Sequence, residues 1–221
     1  MALEILSLSV VGALLALDST SVGQTMVSRP IVVGSITGWM MNAPTMGFAL
    51  GVILEVYFLV SFPVGGTRFP EGAPATVVAV TAADWSALPG AFPIGIAMGL
   101  VWGQLGGMSI TWLRAVNARL APDEESRPSA RRIVTTHLGG ILLDFLRAAL
   151  ITAGGIVAGR FLVGRFAGAW PLDPAATRGL LLLGGAVSLG ILLRSFGGLR
   201  LQGGLLAAGG VLGGLLIGWL L

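Results

Sequence analysis

Apolar segments recur along the whole chain, several of them close to the roughly 20 residues that a helix needs to cross the hydrocarbon core of a bilayer. They run from about Leu3 to Leu17, Ile94 to Leu113, Ile133 to Val163, Gly179 to Leu193 and Leu201 to Leu221. Charged residues make up 10% of the chain, against about 25% in an ordinary soluble domain. That is too little charge to coat a water-facing surface, so most of the exterior must face lipid. The expected fold class is an all-α integral membrane protein, a polytopic helix bundle. No polar stretch is long enough for a second, soluble unit, so residues 1–221 read as a single transmembrane domain.

Two apolar runs, Ile31 to Met41 and Met46 to Val60, are short for a crossing, and Asn42-Ala43-Pro44-Thr45 separates them. They read either as one broken helix or as an antiparallel pair of half-helices. Short, broken or re-entrant helices of this kind let membrane proteins place polar groups inside the bilayer. Pro30 suits the first turn of a helix, and Ser28 is placed to cap it. A Pro- and Gly-rich loop follows at 62–74.

All thirteen basic residues are arginines. They stand singly along apolar segments or gather between Arg114 and Arg132, so they offer no basic face for a nucleic acid. That segment, with Arg114, Arg119, Arg127, Arg131 and Arg132 against Asp123, Glu124 and Glu125, reads as a charged loop. The positive-inside rule places it in the cytoplasm. The first charge in the chain is Glu4, where a cleaved signal peptide would carry positive charge; the first segment is read as a retained helix. The chain has no Cys and one His. Zinc-protease, P-loop and nucleophile-elbow signatures are missing as well. No catalytic residue, metal or cofactor is expected.

Charged groups at membrane depth cost at least about 2.5 kcal/mol on insertion scales, so they mark cavities or partners. Asp18 and Gln24 fall in a polar break directly after the first apolar segment. They could bind hydroxyls, or simply form an interfacial turn. Glu55 has no cation near it in sequence: it must bind a ligand such as a sugar, be protonated, or pair with a distant cation, Arg29 being the candidate. Asp144 and Arg147 share a helix face and read as a structural pair. His137 reads as interfacial. Gly210, Gly214 and Gly218 lie four apart, a stripe for close helix packing.

The ordered set Leu17-Asp18, Gln24, Arg29-Pro30, Gly51-Val52-Ile53-Leu54-Glu55 and Gly65 to Pro70-Glu71 resembles the IIC subunit of the mannose–fructose–sorbose branch of the bacterial sugar phosphotransferase system (PTS). The stretch from Gly95 through Gly103 and Gln104 to Arg114 is similar too, as is His137 followed by Asp144 and Arg147. The resemblance covers most of the first 150 residues. The chain departs from it in being somewhat short and in its longer interval from Asp18 to Arg29.

The resemblance implies a multi-pass permease of the bacterial inner membrane. Such a IIC subunit pairs with a IID membrane subunit, and a hexose binds within the membrane. A soluble IIB protein, charged through IIA, phosphorylates that sugar. IIC itself carries no phosphate. Asp18, Gln24 and Glu55 would then hold the hexose, with Arg29, Asp144 and Arg147 balancing charge, and the complex could be a homo-oligomer. The alternative is a non-transporting regulatory or architectural subunit on the same scaffold.

Overall fold

The computed structural model of the protein describes residues 1–59, 67–84, 90–122 and 129–169, together with Gly179, Ala186 and Gly190. The anticipated stripe of Gly210, Gly214 and Gly218 lies outside the described residues. Among those described, six α-helices follow one another: α1 (Ala2–Thr20), α2 (Pro30–Met40), α3 (Pro44–Phe58), α4 (Gly72–Asp84), α5 (Ala91–Leu120) and α6 (Ala130–Phe166), which ends in a short 3-10 turn, Ala167–Ala169. Three of them, α1, α5 and α6 with its 3-10 turn, are long and apolar enough to cross a membrane. Their outer faces carry Leu6, Val10 and Leu14 on α1, Val101, Leu105, Met108 and Trp112 on α5, and Leu142, Leu146, Leu150 and Phe161 on α6. Such continuous apolar surface is what a lipid-facing wall requires.

The centre of the bundle is α4. Every residue from Ala73 to Ala83 is buried, and α4 packs against each of the other five helices. Its composition explains this placement. Ala, Val and Thr have short side chains, so neighbours can close in on all sides, and the hydroxyls of Thr76 and Thr81 are satisfied by carbonyls one turn back in the same helix. Gly95 and Gly99 let α5 approach closely: a Cβ on Gly95 would lie 2.7 Å from the Ala79 carbonyl, and one on Gly99 would lie 3.0 Å from the Ala79 methyl.

Between the two readings of the short runs, the structure has the antiparallel pair. With 11 and 15 residues, α2 and α3 rise about 16 and 22 Å, less than a bilayer core. Their backbones touch along Gly34 and Gly38 on one side and Gly47 and Gly51 on the other; a Cβ on Gly51 would lie 2.6 Å from the Pro30 carbonyl oxygen. The turn between them uses Asn42 at φ 55°, a left-handed conformation that Asn adopts more readily than most residues.

Two expectations are corrected. Arg29, not Ser28, is the N-cap of α2, with Pro30 in the first turn as expected; the Ser28 hydroxyl is used elsewhere, as described below. The described residues of the charged segment 114–132 are also mostly helix: Arg114 to Leu120 complete α5, and Ala130 to Arg132 open α6, where Ser129 caps by accepting from the Arg132 backbone N–H at 3.3 Å. Helix propensity of Arg, Ala and Leu carries both ends past the apolar stretch.

Candidate functional site

Where α1 ends, the chain makes a compact loop before α2, and Asp18 organises it. Its Oδ1 accepts from the Thr25 backbone N–H at 2.6 Å and the Thr25 hydroxyl at 2.8 Å. Its Oδ2 accepts from the Ser28 N–H at 3.1 Å and the Ser28 hydroxyl at 3.0 Å. A carboxylate has about four acceptor positions, so this loop uses them all. The loop is wound tightly enough to force Gly23, Gln24 and Met26 to positive φ (94°, 56° and 67°). For Gln and Met that costs on the order of 1 kcal/mol each; the Asp18 bonds hold them there.

The loop forms one wall of a cavity of about 190 Å³, with Asp18, Ser19, Gln24, Met26, Ser28 and Arg29 on that side. Pro30, Phe58, Phe69, Pro70 and Gly72 supply the rest of the lining, mostly apolar. An apolar and aromatic lining with a few polar groups is the usual make-up of a small-molecule site. Arg29 is fixed at the rim by Glu55: both its Nε, at 2.6 Å, and its Nη2 donate to Glu55 Oε1. Glu55 Oε2 accepts from the Ile31 backbone N–H at 3.3 Å, one of the free donors at the start of α2. The pair keeps partial access to solvent, with side-chain exposures of 23% and 17%. Thus the structure brings Asp18, Gln24 and Arg29 to one cavity. Glu55 sits behind Arg29, clasped to it, and is not among the lining residues.

Directly behind this cavity lies a second charged group. Arg147 of α6 donates from both terminal nitrogens to Glu71, at 2.7 and 2.6 Å. It also donates to Asp144 Oδ1 from Nε at 3.0 Å and Nη2 at 2.7 Å, and to the Ser109 hydroxyl at 2.7 Å. Asp144 Oδ2 in turn accepts from the hydroxyls of Thr20 and Ser21, each at 2.5 Å. Asp144 and Arg147 are thus paired as the spacing suggested, but their main partner is Glu71, which has no exposure at all. Sequence reasoning placed Glu71 only in a loop motif. The signal was available in α5: Gly103, Gly106 and Gly107 are spaced to clear room for a side chain. A Cβ on Gly106 would lie 2.6 Å from a Glu71 carboxylate oxygen, and the Glu71 N–H donates to the Gly103 carbonyl at 2.9 Å.

A third charged group, Arg160 with Glu4 at 2.5 Å, lies at the far end of α1. That is about 20 Å from Arg147 along α6 by helix rise. His137 is exposed and lines a separate cavity between the end of α5 and the first part of α6.

Comparison with known proteins agrees with this architecture. Residues 2–197 match the family described as the PTS system sorbose-specific IIC component. A solved structure described as a membrane protein superposes with a TM-score of 0.69 at 17% identity, covering 98% of this chain and 96% of that one. A cryo-EM structure of the mannose transporter ManYZ in complex with microcin E492 superposes with a TM-score of 0.62 at 19% identity, covering 98% and 95%. At these identities the two structures show a shared fold. No curated protein matches the chain. The match over most of its length makes this chain a member of the sorbose-type PTS IIC family, the membrane component of a sugar transport system.

Proposed function

We propose that the chain is the IIC permease subunit of a mannose-type phosphotransferase system in a bacterial inner membrane. It would bind a hexose in the cavity beside Asp18 and pass it inward for phosphorylation by a IIB protein. The observation that carries this reading is the build of that cavity. A loop held in a costly conformation brings Gln24, Ser28 and Arg29 to a cavity that Phe58 and Phe69 also line. A pyranose has matching surfaces, with hydroxyls around its rim and C–H groups on its faces.

The roles divide as follows. Gln24 offers both donors and an acceptor, and Ser28, already donating to Asp18, offers its oxygen lone pairs. Asp18 acts through the loop it folds. Glu55 acts through Arg29, holding its planar fork beside the cavity. The antiparallel α2–α3 pair, too short to span and pinned by glycine contacts, is suited to move as a rigid unit against α4 and the long helices. That is the element by which access would alternate. The partners implied are a IID membrane subunit and the soluble IIB and IIA carriers, with the α5–α6 turn facing the cytoplasm.

The test is hexose uptake and phosphorylation in cells making Glu55→Gln with the partner subunits. Freeing Arg29 from its carboxylate should lower uptake at least tenfold while the protein remains in the membrane at normal levels. Wild-type uptake by that variant would remove the Arg29–Glu55 pair from the site.

A further inference from the structure

The last turn of α1 has a cavity on each side. Asp18 and Ser19 line the one described above. Thr20 and Ser21, the next residues in the chain, line another of about 290 Å³, completed by Asn117 of α5 and Thr136 and His137 of α6. We propose that this second cavity is a further binding station for the same neutral, hydroxylated solute, reached from the first by passing the end of α1. This rests on the reading of the first cavity as a hexose site.

Three observations define what the station takes. The hydroxyls of Thr20 and Ser21 spend their protons on Asp144 Oδ2, so toward the cavity they offer only acceptor lone pairs. Asn117 packs beside Gly140, and its Oδ1, cut off from solvent, is out of a solute's reach. Thr136 and His137 add groups that can both donate and accept. Together they ask for a ligand rich in O–H donors. Among the described residues no Arg or carboxylate side chain lines the space, and the Asp144 carboxylate stands just behind the two hydroxyls, so a phosphorylated sugar is disfavoured.

The same contacts explain how the two stations are kept apart. Arg147 orients Asp144, and Asp144 grips Thr20 and Ser21. The partition therefore opens only when those two hydroxyls exchange the carboxylate for another partner. The second station lies toward the end of α5 and the start of α6, away from the Glu4–Arg160 pair at the other end of α1.

The chain contains no Cys, so single cysteines can report on each cavity in membranes holding the chain with the other subunits of its transport system. Met26→Cys samples the first cavity and Thr136→Cys the second, with Ile141→Cys in its place should the Thr136 variant fail to assemble. Rates of alkylation by a small methanethiosulfonate are compared with and without D-mannose or L-sorbose. The expected result is at least threefold protection at both positions. Protection at position 136 should persist in a Gln24→Gly background, which abolishes it at position 26, and hexose 6-phosphate should protect position 136 less.

Protection at 26 without protection at 136 would overturn the second station alone. So would loss of protection at 136 on Gln24→Gly, which would mark it as a relayed movement. Stronger protection by hexose 6-phosphate would overturn the ligand class. No protection at either position would sink the first site, and the second with it.

Discussion

Arg29 and Arg147 are both guanidiniums clasped by carboxylates, yet their surroundings differ in a way that divides scaffold from site. Arg147 is 7% exposed and meets two carboxylates and a hydroxyl, and each of those acids is itself fully enclosed. Its hydrogen bonds join the start of α4, the middle of α5 and the middle of α6, and Asp144 extends the network to the end of α1. Arg29 meets one carboxylate at the rim of a cavity and keeps several times the exposure. A buried ion pair punishes removal of one partner because the other is left charged without compensation; a partly solvated pair can recruit water or a ligand. The first arrangement fixes a geometry, and the second sets a guanidinium beside a cavity.

The comparison is broken most directly by deleting each arginine. Arg147→Leu leaves Glu71 and Asp144 unpaired in the interior and should cost about 3–5 kcal/mol, read as loss of folded protein or a steep fall in melting temperature in detergent. Arg29→Leu should cost about 1 kcal/mol or less while abolishing uptake. Equal losses of stability would mean that the two pairs do the same job. Next in size is Gly106→Val, which drives a branched side chain into Glu71. Overpacking of this kind costs about 1–3 kcal/mol and should lower the melting temperature without touching the Arg29 cavity. The smallest effect expected is at Arg114. It donates to the Thr67 carbonyl at 3.1 Å and lies 5.9 Å from the centre of the Phe69 ring, on the exposed surface. Arg114→Ala should cost about 0.5–1 kcal/mol, seen as a small melting shift with uptake retained.

How much of this was legible in the sequence depended on whether a signal was local. Apolar length placed α1, α5 and α6, Pro30 marked the start of one short helix, and the break Asn42 to Thr45 set it apart from the next, which begins at Pro44 within that break. The i,i+3 spacing of Asp144 and Arg147 gave their pairing, because a helix fixes that distance. Glu71, the principal partner of Arg147, lies 76 residues away in sequence, and no periodicity connects them. Glycine spacing drew attention to Gly210, Gly214 and Gly218, while the four-residue spacing of Gly34 with Gly38 and of Gly47 with Gly51, the same physical device, went unread in runs judged short for a crossing. At the site, polar character after Leu17 was evident. What could not be read was that Asp18 turns inward to bind its own loop, since four hydrogen bonds from residues 25 and 28 depend on a backbone path that only the fold supplies.

The central claim is that the strained loop between α1 and α2 exists to present Gln24 to a hexose. Gln24→Gly separates that claim from folding, because glycine accepts φ 56° without strain and should leave stability unchanged or raised by up to about 1 kcal/mol. Calorimetric titration of hexose into the purified transport complex, wild type against Gln24→Gly, is the most direct measurement. At least a tenfold loss of affinity with an unchanged or higher melting temperature is the predicted result; unaltered affinity in the glycine variant would contradict it.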